Sequence, residues 1–182
     1  DDSLLFLDCL SLEHDAVKMG RDDIGIVVCD SNVKHALTGG DYNSRRAECM
    51  AAAAHFGKEL LREVSWEEFL AGEDQLPENQ RKRARHILSE DRRVQALWKA
   101  AAAGDVDQMR RIYAEAHVSS RDLFQNSTPE IDFLVEIANS LPGCVGSKLT
   151  GGGWGGCTVN LVFEDGIPDF TREIIKRYSA RT

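Results

Sequence analysis

Gly146-Ser147-Lys148-Leu149-Thr150-Gly151-Gly152-Gly153-Trp154-Gly155-Gly156-Cys157 is the stretch on which the reading of this chain turns. Between Gly151 and Gly156 only Trp154 is not glycine. Glycine visits positive φ cheaply and leaves the backbone bare, so that another group can approach closely. Such density costs conformational entropy on folding, and something must offset it. Successive exposed amides can form a concavity that holds an anion such as phosphate. Two familiar phosphate loops are excluded. No Gly-Lys-Ser/Thr closes the stretch, and a β-branched run follows where a nucleotide-binding loop would open a helix. Composition alone leaves two readings open, a phosphate-holding loop and a glycine-rich hairpin with a bulge.

On the C-terminal side, Thr158-Val159-Asn160-Leu161-Val162-Phe163 reads as a strand with Val159, Leu161 and Phe163 on one face. Residues 168–177 form a final helix with Phe170, Ile174 and Tyr178 along one side. On the N-terminal side, Thr128-Pro129 supplies an N-cap and a proline at the first helical position. Ile131, Leu134, Val135 and Ala138 give that helix its buried face, and Pro142-Gly143 ends it. Before it the spacing predicts a long helix over 77–103, with Ala84, Ile87, Leu88, Val94, Leu97, Trp98 and Ala101 on one face. Gly104-Asp105 stops that helix and starts another, carrying Val106, Met109, Tyr113, Ala116 and Phe124, so the two make an αα-hairpin. Ser65-Trp66-Glu67-Glu68 has the form of a capping box for a short helix.

Toward the start, residues 4–9 read as a buried strand with a partner at 17–19, and Ile24-Gly25-Ile26-Val27-Val28-Cys29 as a stronger one. A loop containing Thr38-Gly39-Gly40 follows. Asp41 then introduces a helix with Ala47, Met50, Ala51 and Ala54 at helical spacing. Strand segments followed by several consecutive helices favour an α+β fold.

The 182 residues suffice for one well-cored domain or two very small ones. A net charge of −8 argues against a partner of nucleic-acid type, which selects basic surfaces. The dense basic stretch Arg81-Lys82-Arg83-Ala84-Arg85 is read as a solvated helix face. Cys9, Cys29, Cys49, Cys144 and Cys157 form no CxxC pair and no zinc spacing, so buried free thiols and a reducing, cytoplasmic setting are expected. No apolar run approaches the length that spans a bilayer, and no signal peptide opens the chain, so no membrane partner is expected. The start at Asp1-Asp2-Ser3, without Met and almost directly in a strand, reads as that of a fragment.

Residues 148–157 resemble the third conserved motif of the GHMP kinases, and within them the galactokinase version, with Lys148 where arginine is common. A second segment is similar too: Cys29-Asp30-Ser31-Asn32, followed by Asp41-Tyr42-Asn43-Ser44-Arg45-Arg46 and Cys49. A third runs through Arg85-His86-Ile87-Leu88, His117-Val118-Ser119-Ser120-Arg121-Asp122 and Pro129-Glu130-Ile131-Asp132, with Leu123 and Thr128 departing from the commoner aspartate and cysteine. The resemblance implies that residues 1–182 are one GHMP kinase C-terminal domain, a small mainly antiparallel sheet covered by helices. It implies a galactokinase, which passes the γ-phosphoryl group of ATP to the anomeric hydroxyl of α-D-galactose with Mg²⁺.

On that resemblance Tyr42 binds the sugar, and Thr150, Gly151, Gly152, Gly153, Gly155 and Gly156 support the nucleotide phosphates. Read from residue type alone, Tyr42 is more readily an interfacial aromatic packing on the sheet. The residues proposed as base, its partnering arginine and the main ATP loop belong to the family's N-terminal half. The chain is therefore expected to lack that partner domain, to hold no catalytic residue, to bind no metal of its own and to be inactive alone. Asp30, Asp41 and Asp122 are available carboxylates with turn or capping roles, Arg45 and Arg46 read as salt-bridge formers, and His117 as a structural histidine. A kinase for N-acetylgalactosamine or arabinose, and a non-catalytic galactose sensor, remain alternatives.

Overall fold

The computed structural model describes residues 3–33 and 40–181. Thr38 and Gly39, part of the expected turn before the first helix, lie outside the described residues. Among the described residues the strands form two separate antiparallel sheets. Strands β1 (Ser3–Leu7) and β2 (His14–Lys18) form a hairpin in which Leu4 faces Val17. Strands β3 (Ile24–Asp30), β4 (Cys144–Thr150) and β5 (Cys157–Phe163) form the second sheet in the order β3-β5-β4. The glycine stretch is therefore the turn of the β4–β5 hairpin, closed by the Thr150–Cys157 pair, and its first residues are strand. Of the two open readings, the glycine-rich hairpin is present, with its bulge at the far end, between Cys144 and Gly146.

Among the described residues there are six α-helices, and several follow the caps and stops of the sequence. They are α1 (Gly40–His55), α2 (Trp66–Gly72), α3 (Glu78–Ala103), α4 (Val106–Val118), α5 (Pro129–Ser140) and α6 (Ile167–Ser179). The Ser65 capping box forms as expected, with Ser65 Oγ accepting the Glu68 amide and Glu68 Oε2 accepting the Ser65 amide. Gly104, at φ 67°, closes α3 in the left-handed conformation that favours glycine, and Asp105 caps α4 through the Gln108 amide. Thr128 Oγ1 accepts the Ile131 amide at the start of α5. One expectation fails here: the second helix of the αα-hairpin stops at Val118, and residues 119–124 wind as a π turn ending at Gln125, φ 58°.

Helices lie on both faces of the three-stranded sheet, although Ile26 and Val28 of β3 stay 51% and 61% exposed. On one side Ile24, Val145 and Leu161 pack with Met109, Ile112 and Tyr113 of α4 and with Ala100 and Ala101 of α3. On the other, Val162 packs with Leu134, Ile137 and Ala138 of α5 and with Phe170, Ile174 and Tyr178 of α6. The Val159, Leu161, Phe163 alternation is real, but Thr158, Asn160 and Val162 on the opposite face are buried as well. A separate core under α1, α2 and α3 gathers Ala52, Ala53, Phe69, Ala84 and Leu88.

Three further expectations need correction. The predicted apolar face of α1 points outward: Ala47, Ala51 and Ala54 are exposed and Met50 is 54% exposed. The basic stretch is not a wholly solvated face, because Arg83 is 1% exposed in its middle. The cysteines are all free, but Cys9 is exposed and the other four are only half-buried.

Candidate functional site

The glycine turn is fastened at two places, and each fastening explains a glycine. On one side stands the segment after β3. The Ser31 amide and Ser31 Oγ both donate to Gly156 O, at 2.9 and 2.7 Å, and the Gly156 amide donates to Val33 O at 3.2 Å. A Cβ on Gly155 would lie 2.5 Å from Val33 O, so the close approach itself demands glycine. Ser31 is held in turn by Tyr178 of α6, whose hydroxyl donates to Ser31 O at 2.8 Å.

On the other side stands Asn126, after the π turn. Its carbonyl accepts the Trp154 amide at 2.6 Å, and its Nδ2 donates to Gly152 O at 3.1 Å. A side chain on Gly153 would overlap both the carbonyl and the amide of Asn126. Gly151, Gly152 and Gly156 instead face open space. Gly151, Gly153, Trp154, Gly155 and Gly156 all take positive φ, and Trp154, at φ 56°, does so at a cost of about 1 kcal/mol. Among the described residues no acceptor within the protein takes the amides of Gly152, Gly153 or Gly155.

Beneath Asn126 lies a buried ionic network that sequence reasoning missed. Arg83 Nε pairs with Glu48 of α1 at 2.7 Å, its Nη1 donates to Leu123 O, and its Nη2 donates to Gln125 Oε1 at 2.9 Å. Arg45 Nε donates to Phe124 O at 2.8 Å and pairs loosely with Glu48. The salt-bridge reading of Arg45 thus holds, with a backbone contact added. A buried guanidinium is tolerable only when its donors are met, and here they are.

Tyr42 stands in the first turn of α1, 62% exposed, and no hydrogen bond among the described residues joins it to the glycine turn. What links them is α1 itself, through Arg45 and Glu48 to the Leu123–Asn126 turn. Lys148 does not reach into the turn. Its Nζ donates to Leu149 O at 3.3 Å, and burial, countered by Glu90 and reinforced by Arg93, lowers its pKa.

The remaining titratable candidates are accounted for structurally. His117 sits 3.2 Å from Asp132 through Nε2, while Nδ1 accepts the Leu149 amide at 3.4 Å, so the neutral ring is satisfied at both nitrogens. Burial lowers its pKa against the opposing pull of Asp132. Asp30 accepts the Asn32 amide at 2.9 Å, and Arg121 holds the Asp122 carboxyl below the usual range. Burial pushes the Cys49 and Cys144 thiols up to about 11, which suits packing rather than nucleophilic attack. Among the described residues no three His, Cys, Asp or Glu side chains gather to hold a metal ion. No helix among them is long and apolar enough to cross a membrane.

Comparisons with known proteins agree with this geometry. Residues 97–179 match the family model described as GHMP kinases C terminal. The galactokinase of Lactococcus lactis, solved in complex with galactose, superposes with a TM-score of 0.90 at 32% identity, over 98% of this chain and 47% of that one. Mevalonate kinase of L. major, solved with R-mevalonate, shares the fold at a TM-score of 0.55 and 17% identity. The fold is thus that of a GHMP kinase C-terminal domain, α+β with small antiparallel sheets. Within that class the chain is similar to galactokinases. It is 42% identical to the galactokinase of Roseiflexus sp. (strain RS-1) over 100% of its own length and 47% of the relative's. To that of Homo sapiens it is 40% identical, over 96% and 44%. The chain spans about half the length of the curated relatives it matches.

Proposed function

We propose that this chain forms one wall of a galactokinase site, in which the γ-phosphoryl group of ATP passes to the anomeric hydroxyl of α-D-galactose. The observation that carries this reading is the clamped glycine turn, whose Gly152, Gly153 and Gly155 amides are left without acceptors among the described residues. Pre-set amides stabilise developing phosphoryl charge without reorganising, and phosphoryl transfer depends chiefly on positioning and charge neutralisation. Thr150 closes the hairpin that carries the turn, and Gly151 and Gly156 leave open room beside it.

Tyr42 offers an exposed phenol as a hydrogen-bond partner for a sugar hydroxyl. The reaction moves the anomeric hydroxyl proton to a base as the new O–P bond forms and ADP leaves. No carboxylate described above is placed for that task, so the base is assigned to the half of the relatives that this chain does not span. Mg²⁺ would travel with ATP. The exposed apolar row of α1, together with Leu5 and Leu7 on the outer face of β1, offers that other half a surface to cover. The free thiols fit a reducing cytoplasm.

The test is radiolabel transfer from ATP to galactose by a full-length polypeptide carrying this domain. We expect transfer there and none from the chain alone. Tyr42→Phe should raise KM for galactose about tenfold, the worth of a good hydrogen bond to substrate, with KM for ATP unchanged. Transfer by the isolated chain, or a Tyr42→Phe enzyme with an unaltered KM for galactose, would overturn the assignment.

A further inference from the structure

Arg83 and Asn126 are both buried polar residues that the proposed reaction does not itself use, and they meet at one turn. We infer that Asn126 is a positioning residue that aims the Gly153 amide outward, and that Arg83 holds Asn126 where it must be to do so. The inference rests on the kinase reading above for its purpose, though its geometry does not.

The geometry follows from the planarity of the peptide bond. In a trans peptide the carbonyl of one residue and the amide N–H of the next point in opposite directions. Asn126 Nδ2 pulls Gly152 O inward at 3.1 Å, so the N–H of Gly153 must point away from Asn126, toward whatever occupies the outer side. Asn126 O takes the Trp154 N–H at 2.6 Å, which fixes the next peptide the other way round. One residue therefore sets two successive peptide planes. Without it, a turn of five glycines would sample many orientations, and an anion would have to order it on binding.

Asn126 can do this only if it is itself immobile. Its amide donates to Ser120 O at 3.2 Å, and it is 6% exposed. The three residues before it are each held by an arginine: Leu123 O and Gln125 Oε1 by Arg83, Phe124 O by Arg45. Arg83 is anchored in turn to Glu48 of α1 at 2.7 Å. A full charge is buried at this turn, where burial is costly, and both of its contacts beyond the Glu48 pair go to the turn. Because Arg45 and Glu48 lie on the helix that carries Tyr42, the same network ties the sugar-side helix to the glycine turn.

Two variants test this. Asn126→Ala removes the bond to Gly152 and keeps the backbone. Gln125→Asn keeps a residue tolerant of the left-handed conformation but is too short to reach Arg83, and it disturbs the fold less than loss of Arg83 itself. In the isolated chain, exchange of the Trp154 amide should quicken about tenfold in Asn126→Ala and less in Gln125→Asn, with the β5 and α5 amides unchanged. In the full-length kinase, KM for ATP should rise about fivefold in Asn126→Ala, the worth of one neutral hydrogen bond, while KM for galactose stays within about twofold. Unchanged Trp154 exchange, or acceleration spread equally over β5 and α5, overturns the positioning role. KM values for ATP and galactose rising together would overturn its service to the nucleotide. If the full-length protein phosphorylated no galactose, the Trp154 exchange would still decide the positioning role by itself.

Discussion

Helices α6 and α1 are both amphipathic and both lie against a core, yet they treat their apolar residues in opposite ways. Helix α6 buries Phe170, Ile174 and Tyr178 against the sheet, and Tyr178 goes on to hold Ser31. Helix α1 turns Ala47, Met50, Ala51 and Ala54 to solvent and packs inward with Cys49, Ala52, Ala53 and Phe56, beside the charged Arg45 and Glu48. The β1–β2 hairpin behaves like α1. Phe6 stacks on Trp98 at 4.2 Å between ring centroids, while Leu5, on the opposite face, is 67% exposed. The α6 side is the better filled of the two, with Ile175, 60% exposed, as its one large apolar residue turned to solvent among the described residues of the helix. The α1 and β1 sides carry apolar surface beyond what their own cores use, which is what a surface awaiting another body looks like.

The contrast can be broken by mutation. Phe170→Ala should cost about 3–5 kcal/mol of stability in the isolated chain, because a filled core position is emptied. Met50→Ser on the open side should change stability by less than about 0.5 kcal/mol. Denaturant unfolding of the two variants checks both; equal losses would erase the distinction.

A smaller effect sharpens it through pH. His86, stacked on Phe124 and bonded to Ser119 Oγ at 2.9 Å, lies on the closed side of the same turn. Burial, then the charges of Arg93, Lys148 and Arg83, lowers its pKa from 6.5 to about 4, against the pull of Ser119. The folded protein thus holds His86 neutral where the unfolded chain would protonate it. The stability that His86 contributes is complete above about pH 6.5 and is lost as pH falls toward about 4. His86→Gln should flatten that part of the stability–pH curve, and an identical slope in the variant would contradict the assignment.

Much of the fold was legible because its signals are local. Ser65, Asp105 and Thr128 cap the helices they precede, Gly104 ends α3, and the β-branched run after the glycines is the central strand. The α1 face was misread for a physical reason. Alanines stand on both sides of its second half, so periodicity did not separate Ala51 and Ala54 from the buried Ala52 and Ala53, while the Arg83–Glu48 ion pair lies on the inward side. Arg83 was hidden for the same reason, since a run of basic residues averages to a solvated face unless a partner elsewhere singles one out. The glycine turn announced itself, but Asn126 did not. Asn-Ser-Thr-Pro reads as an ordinary helix entry, and the partner that gives Asn126 its role lies 26 residues downstream.

The most direct measurement is galactose phosphorylation by the full-length polypeptide carrying Met50→Lys, with unfolding of the isolated chain bearing the same change followed in parallel. A charge at the centre of a surface that another half covers should lower activity at least about tenfold, while the isolated chain keeps its stability within about 0.5 kcal/mol. Full activity in the Met50→Lys polypeptide, or no phosphorylation of galactose by the unmutated one, would contradict the view of this chain as one covered wall of a galactokinase site.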